Sequence, residues 1–188
     1  SGDRGDLREL GAPPVREVPD LREPGDDVLD VGALAGPDGL VTGGPGGEKN
    51  WKGELTFPEP VVTKAVKAVY DMGVPLNLHA NGDGAIDAFL RAHEKAAAGD
   101  LGKERNVTMI HSQFVRKDQL DKYVTYRIRP SLYTLHTYYF AEAHIANRGR
   151  EQAMYISPMR DAIDKGLVPT NHTDFVVAPL DQMFMMWS

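Results

Sequence analysis

From Trp51 onward, stretches with apolar residues at helical spacing alternate with short apolar runs, and this alternation restricts the fold more than any other feature. PEPVVTKAVKAVYDMG places Val62, Ala65, Val66, Val69 and Tyr70 at helical spacing and stops at Gly73. VPLNLH then reads as a strand. GAIDAFLRAHEKAAAG repeats the helical spacing through Ile86, Phe89, Leu90 and Ala97, up to Gly99. VTMIH (Val107 to His111) is a second strand, and KDQLDKYV a short helix with Leu120 and Val124 inward. RIRPSLY is a third strand, made irregular by Pro130. After a long polar and aromatic segment, ISPMRDAIDKG has Ser157 as an N-cap, Pro158 at the first helical position and Gly166 at its end. LVPTN is a fourth strand. Helices and strands taking turns in units of roughly 30 residues predict an α/β fold, with a parallel sheet and right-handed crossovers. In such folds the reactive groups gather at the C-terminal ends of the strands.

The first part of the chain reads differently. Residues 1–50 are dense in Pro and Gly and lack periodicity, so an irregular N-terminal segment is expected there, with VLDVGAL as one short strand. The organisation expected is therefore 1–50 irregular and 51–188 regular. The 188 residues suffice for one core, and the hydrophobic share of 41% is that of a soluble chain. No run of ~18 apolar residues occurs, so no membrane span is expected. A net charge of -6 argues against a nucleic-acid partner. A cytoplasmic location is the default expectation. There are no cysteines, which excludes disulfides and leaves His and carboxylates as the available metal ligands.

Three strands run straight into histidine: His79, His111 and His172, the last followed by Asp174. The third strand, extended as RIRPSLYTL, reaches His136. Four histidines on one rim with a nearby carboxylate suit a divalent metal such as zinc, which makes water nucleophilic near neutral pH. Each residue also has a plainer reading. A lone histidine is more often a structural donor than a ligand, and His93, inside a helical stretch, is read that way. His144 either lines a pocket or caps the Glu142 region. Asp83 and Asp87 fit a helix N-cap and a first-turn acid, favoured by the helix dipole. Aromatics around Tyr138 either line a small-molecule pocket or pack over the sheet end. PLDQMFMMWS reads as the start of a further core helix.

LHANGDGAIDAFLRAHEKA, VTMIHSQFVRKDQLDKY, PSLYTLHTYYFAEAH and ISPMRDAIDKGLVPTNHTDFVV, taken in this order, resemble the amidohydrolase superfamily. Within it they are most similar to the amidohydrolase 3 group, the YtcJ-like and N-substituted formamide deformylase-like enzymes. The resemblance runs from about Trp51 to the end. It implies a metal-dependent (β/α)8 TIM barrel of which this chain carries about half, strands five to eight. It implies metal ligation by His79 and His111, and by Asp174, which is also the general base. His136 and His172 are then substrate-binding residues, and Tyr138 of the aromatic cluster is expected to bind substrate beside them. The implied reaction is hydrolysis of a non-peptide C–N bond, amide or cyclic amide, in a small molecule, with one or two divalent ions, most simply Zn2+.

The family's H-x-H pair is absent, and its fourth-strand lysine has no counterpart, since Lys49 and Lys52 lie in a Gly-rich stretch. The missing half-barrel is therefore expected as a second chain, another segment or a swapped copy in a homo-oligomer. Two other functions stay open: an incomplete barrel that binds a small molecule or partner chain without catalysis, and phosphoester or lactone hydrolysis on the same site.

Overall fold

A computed structural model of the chain describes residues 53–188. The irregular segment expected over 1–50, with Lys49 and Lys52, lies outside the described residues. Within them the alternation is realised as α1 (Glu59–Met72), β1 (Leu76–Ala80), α2 (Asp83–Ala96), β2 (Val107–His111), α3 (Lys117–Tyr126) and β3 (Ile128–Leu132). Short helices follow: α4 (His136–Tyr139), α5 (Ala141–Arg148), α6 (Arg150–Ala153) and α7 (Met159–Asp164). The chain then forms β4 (Thr170–Asn171) and α8 (Gln182–Trp187). The sheet order is β1-β2-β3-β4, and every pairing is parallel. This is the α/β, partial-sheet arrangement that the alternation demands. Among the described residues, β1 and β4 pair on one side only.

The main core lies between the first three strands and the helices covering them. Val62 and Val66 of α1 and Ile86, Phe89 and Leu90 of α2 meet Leu78, Val107 and Met109 of the sheet. Burying each large apolar side chain is worth about 1.5–3 kcal/mol, so these carry much of the fold's stability. Gly73 ends α1 in the left-handed conformation expected of it, at φ 67°. A smaller core of Tyr133, Leu135, Ala178 and Met185 supports the end of the sheet.

Local periodicity misplaces several details. Leu120 is buried as expected, but Val124 is exposed; Gln119, Tyr123 and Tyr126 complete the buried face of α3, Tyr123 against Ser112 just past β2 and Tyr126 against His93 of α2. α2 stops at Ala96, short of Gly99. The third strand ends at Leu132, so His136 opens α4 rather than finishing a strand. Ser157 is not an N-cap: its hydroxyl donates to the Tyr133 carbonyl at 3.0 Å, and Pro158 occupies the cap position of α7. The fourth strand is only Thr170–Asn171. PLDQMFMMWS does form α8, but only Met185 is buried and Met183, Met186 and Trp187 are exposed.

Candidate metal centre

The register of the sheet decides which side chains can meet. Ala80 pairs with His111, His111 with Leu132, and Leu132 with Asn171, so β1 to β4 finish on one line. His79, His111 and His172 therefore emerge at neighbouring C-terminal strand ends. The His79 and His111 rings meet edge to face with centroids 4.3 Å apart, and the His111 and His172 centroids are 4.9 Å apart. His136 reaches the cluster from α4, 5.9 Å from His111 between centroids.

His172 Nε2 lies 3.1 Å from His111 Nδ1. Potential ligand atoms of His111, His172 and Asp174 all fall within 4.8 Å of one another. Ligand nitrogens on one tetrahedral zinc, each at 2.0–2.1 Å, stand roughly 3.3 Å apart, so the histidine pair fits a single ion. Ser131 Oγ lies 3.1 Å from His172 Nδ1 and fixes the ring from behind, as supporting hydrogen bonds do for metal-binding histidines.

The electrostatics favour neutral imidazoles, the form that binds metal. Burial, then the neighbouring His79 and His172, pushes the His111 pKa down to about 3. Burial first and the surrounding histidines second push His136 down to about 3 as well. His172 is also lowered, mainly by burial, with Asp174 pulling the other way. The backbone beside these groups is unusual. His111, Ser112, Ser157 and Asp174 adopt φ of 67°, 47°, 44° and 53°, a region that non-glycine residues rarely visit. Tertiary contacts hold it there: Ser112 N–H donates to the Ala80 carbonyl and Ser157 N–H to the Gln113 carbonyl.

Around the histidines, a charged network ties the turn after β1 to the turn after β2. Arg116 contacts Asp83 at 2.7 Å and Asp87 at 3.1 Å, and Gln119 Nε2 donates to Asp87 at 2.7 Å. Asp83 is thus a buried ion-pair partner rather than a side-chain cap of α2. Burial raises its pKa, and Arg116 opposes the rise.

Of the residues that the sequence marks, His79, His111, His136, His172 and Asp174 come together. Tyr138 does not join them: it is exposed and its ring contacts Tyr139, Phe184 and Trp187. His93 is fully buried away from the cluster. His144 sits on α5, accepts from Gln113 Nε2 at 2.7 Å, and stands 6.2 Å from His136. Tyr133 and Ser157 are additions. Tyr133 is buried against His136 and His172, and Ser157 Oγ lies 3.5 Å from His136 Nδ1. Tyr133 sits one residue past β3, where only the tertiary fold reveals its neighbours. Among the described residues, a cavity of about 570 Å³ lies at the other end of the sheet beside Ile128 and Thr170, away from the histidines.

Residues 11–188 match the amidohydrolase family model, so the match begins well upstream of Trp51, where the motifs alone place its start. No curated protein matches. An uncharacterized metal-dependent hydrolase from Pyrococcus furiosus shares the fold with a TM-score of 0.66 and 21% identity. The likeness covers 82% of this chain and 30% of that one. A second, from Pyrococcus horikoshii OT3, gives a TM-score of 0.65 and 19% identity over 82% of this chain and 29% of its own. The chain thus spans less than a third of the length of these structures.

Proposed function

Because the chain belongs to the amidohydrolase family, we propose that it carries part of the catalytic centre of a metal-dependent hydrolase that cleaves a non-peptide C–N bond, amide or cyclic amide, in a small molecule. The observation that carries this is the group of His111, His172 and Asp174 at the ends of parallel strands, with His79 against it. The donor set is nitrogen and oxygen only, and Zn2+ suits it. The proposed holders are His79, His111, His172 and Asp174. Here His172 moves from the substrate role that the family pattern implies to that of a ligand, because its Nε2 is the close neighbour of His111. When bound, the ion would activate water and polarise the scissile carbonyl.

The chain's own groups do the rest. The Asp174 carboxylate takes the proton of the attacking water and delivers it to the leaving nitrogen. With His172 Nδ1–H donating to Ser131 Oγ, Nε2 keeps its lone pair facing His111. His136, neutral and buried, donates to the substrate carbonyl from the α4 side. The two sheet edges that pair on one side only among the described residues receive the rest of the barrel, from another segment or a second chain.

The test is hydrolysis by the full-length protein, stripped of metal and reloaded with zinc, against amides, cyclic amides, phosphoesters and lactones. Amide or cyclic amide cleavage that disappears on stripping and returns with zinc is expected. Cleavage that survives stripping, or activity confined to phosphoesters or lactones, would overturn the proposal.

A further inference from the structure

Arg148 ends α5 with its side chain 3% exposed, and its three guanidinium nitrogens have no hydrogen-bond partner among the described residues. A guanidinium has five N–H donors, and burying them without acceptors is costly. The carboxylate of Asp83 is 4.0 Å away, and its other oxygen is held by Arg116 at 2.7 Å. Closing that gap would satisfy one nitrogen and leave the rest. The Phe114 ring lies 3.6 Å from the guanidinium carbon, so the cation rests on an aromatic face. Burial brings the Arg148 pKa down to about 10, against the pull of Asp83, so the group stays charged at neutral pH.

Arg148 forms part of the wall of a cavity of about 190 Å³, together with Phe114, Val115, Lys117, Gln152 and Tyr155. Arg116 also borders it but is committed to Asp83, Asp87 and Asp118. The exposed Lys117 ammonium stands over the Tyr155 ring at 5.3 Å, with Asp161 4.0 Å away. A buried cation with Asp83 at 4.0 Å but no hydrogen-bond partner among the described residues, a second cation at the mouth and aromatic walls describe a site for an anion with an apolar body. The nearby Asp83 disfavours a dianion such as phosphate and favours a monoanion. Ring contacts link the cavity wall to the histidines: the Phe114 and His144 centroids are 5.1 Å apart, and those of His144 and His136 6.2 Å.

We propose that this cavity binds a small carboxylate with an aromatic or aliphatic body, whose oxygens accept hydrogen bonds from Arg148 inside and Lys117 at the mouth. The carboxylate belongs either to the substrate or to a separate acid. The site itself does not depend on the metal reading, because it is tested without metal.

The experiment is calorimetric titration of benzoate into metal-free full-length protein, with inorganic phosphate as comparator. Benzoate is expected to bind, and to weaken at least about tenfold in Arg148→Gln. In Lys117→Gln, an exposed change that threatens no core, it should weaken by roughly threefold. Circular dichroism checks that both variants fold. If Arg148→Gln does not fold, Lys117→Gln decides alone, and unchanged affinity there overturns the proposal. So does no benzoate binding, equal binding by folded Arg148→Gln, or phosphate binding more tightly than benzoate. Repeating the titration with hippurate after zinc loading separates the sources. Tightening by zinc assigns the carboxylate to the substrate, no tightening assigns it to a separate acid, and both results support the site.

Discussion

His93 and His111 are both buried histidines, and their surroundings are opposite. In the interior of α2, His93 Nε2 donates to the Leu101 carbonyl at 3.1 Å, and Nδ1 accepts from the Tyr70 hydroxyl at 2.7 Å. Its ring stacks on Tyr126 at 4.8 Å. Both nitrogens are used, and no other histidine is in contact with it. At the end of β2, His111 instead faces His172, His79 and His136, groups that would repel one another if protonated. A core gives a buried histidine neutral partners of complementary polarity. A metal centre crowds neutral imidazoles beside a carboxylate. Burial alone does not separate the two; the chemistry of the neighbours does.

The comparison can be broken most sharply by function. Asp174→Asn in the full-length protein should lower the rate of amide cleavage by about 10²–10⁴-fold while leaving the far-UV spectrum unchanged. His93→Gln, at a fully buried site, should leave the rate per folded molecule close to wild type; an equal loss in both variants would erase the distinction.

Packing gives the next effects. Phe89→Ala, in the α2 layer, should cost about 3–5 kcal/mol in urea unfolding. Arg116→Ala should cost about 3 kcal/mol, because it leaves the buried Asp83 carboxylate without its close counter-ion. Asp83→Asn in the same background should recover part of that loss, and no recovery would argue against the ion pair.

The pH dependence is smaller per unit but involves both regions. Burial, the leading cause, lowers the pKa of His93, His111, His136, His144 and His172. Below the unfolded value of about 6.5 the unfolded chain takes up protons that the folded chain refuses. Stability is therefore fully present above about pH 6.5 and falls as pH drops, by up to ~1.4 kcal/mol per pH unit for each such group. Denaturation at pH 7.5, 6.5 and 5.5 checks the sign. Zinc should protect the fold against acid at the rim but not at His93, so His93→Gln should reduce the acid sensitivity that remains after zinc loading. Last, Met183→Ala on the exposed face of α8 should stay within ~0.5 kcal/mol of wild type.

Much of this contrast is legible in the sequence. Period changes reveal the order of helices and parallel strands, and the repeated position of histidine after VPLNL, VTMI and LVPTN marks the rim. His93 stands apart because it falls inside a helical stretch. What is hidden depends on contacts between distant residues. The Asp83 to Arg116 pair spans two turns, so from the sequence Asp83 resembles an ordinary helix N-cap. Ser157 precedes a proline and looks like a cap, yet the Tyr133 carbonyl claims its hydroxyl. Tyr123 and Val124 are neighbours in the chain, and only the angle at which α3 meets the sheet selects Tyr123 for the core. Tyr138 looks like a pocket residue from its aromatic context, while the fold turns it toward α8.

The most direct test of the metal centre is zinc stoichiometry with X-ray absorption at the zinc edge, on full-length wild type, His111→Ala, His172→Ala and His93→Gln. The expected result is a nitrogen and oxygen shell containing at least two imidazoles, lost or strongly weakened in His111→Ala and His172→Ala and intact in His93→Gln. Zinc that binds equally in all four proteins, or in none of them, would contradict the assignment.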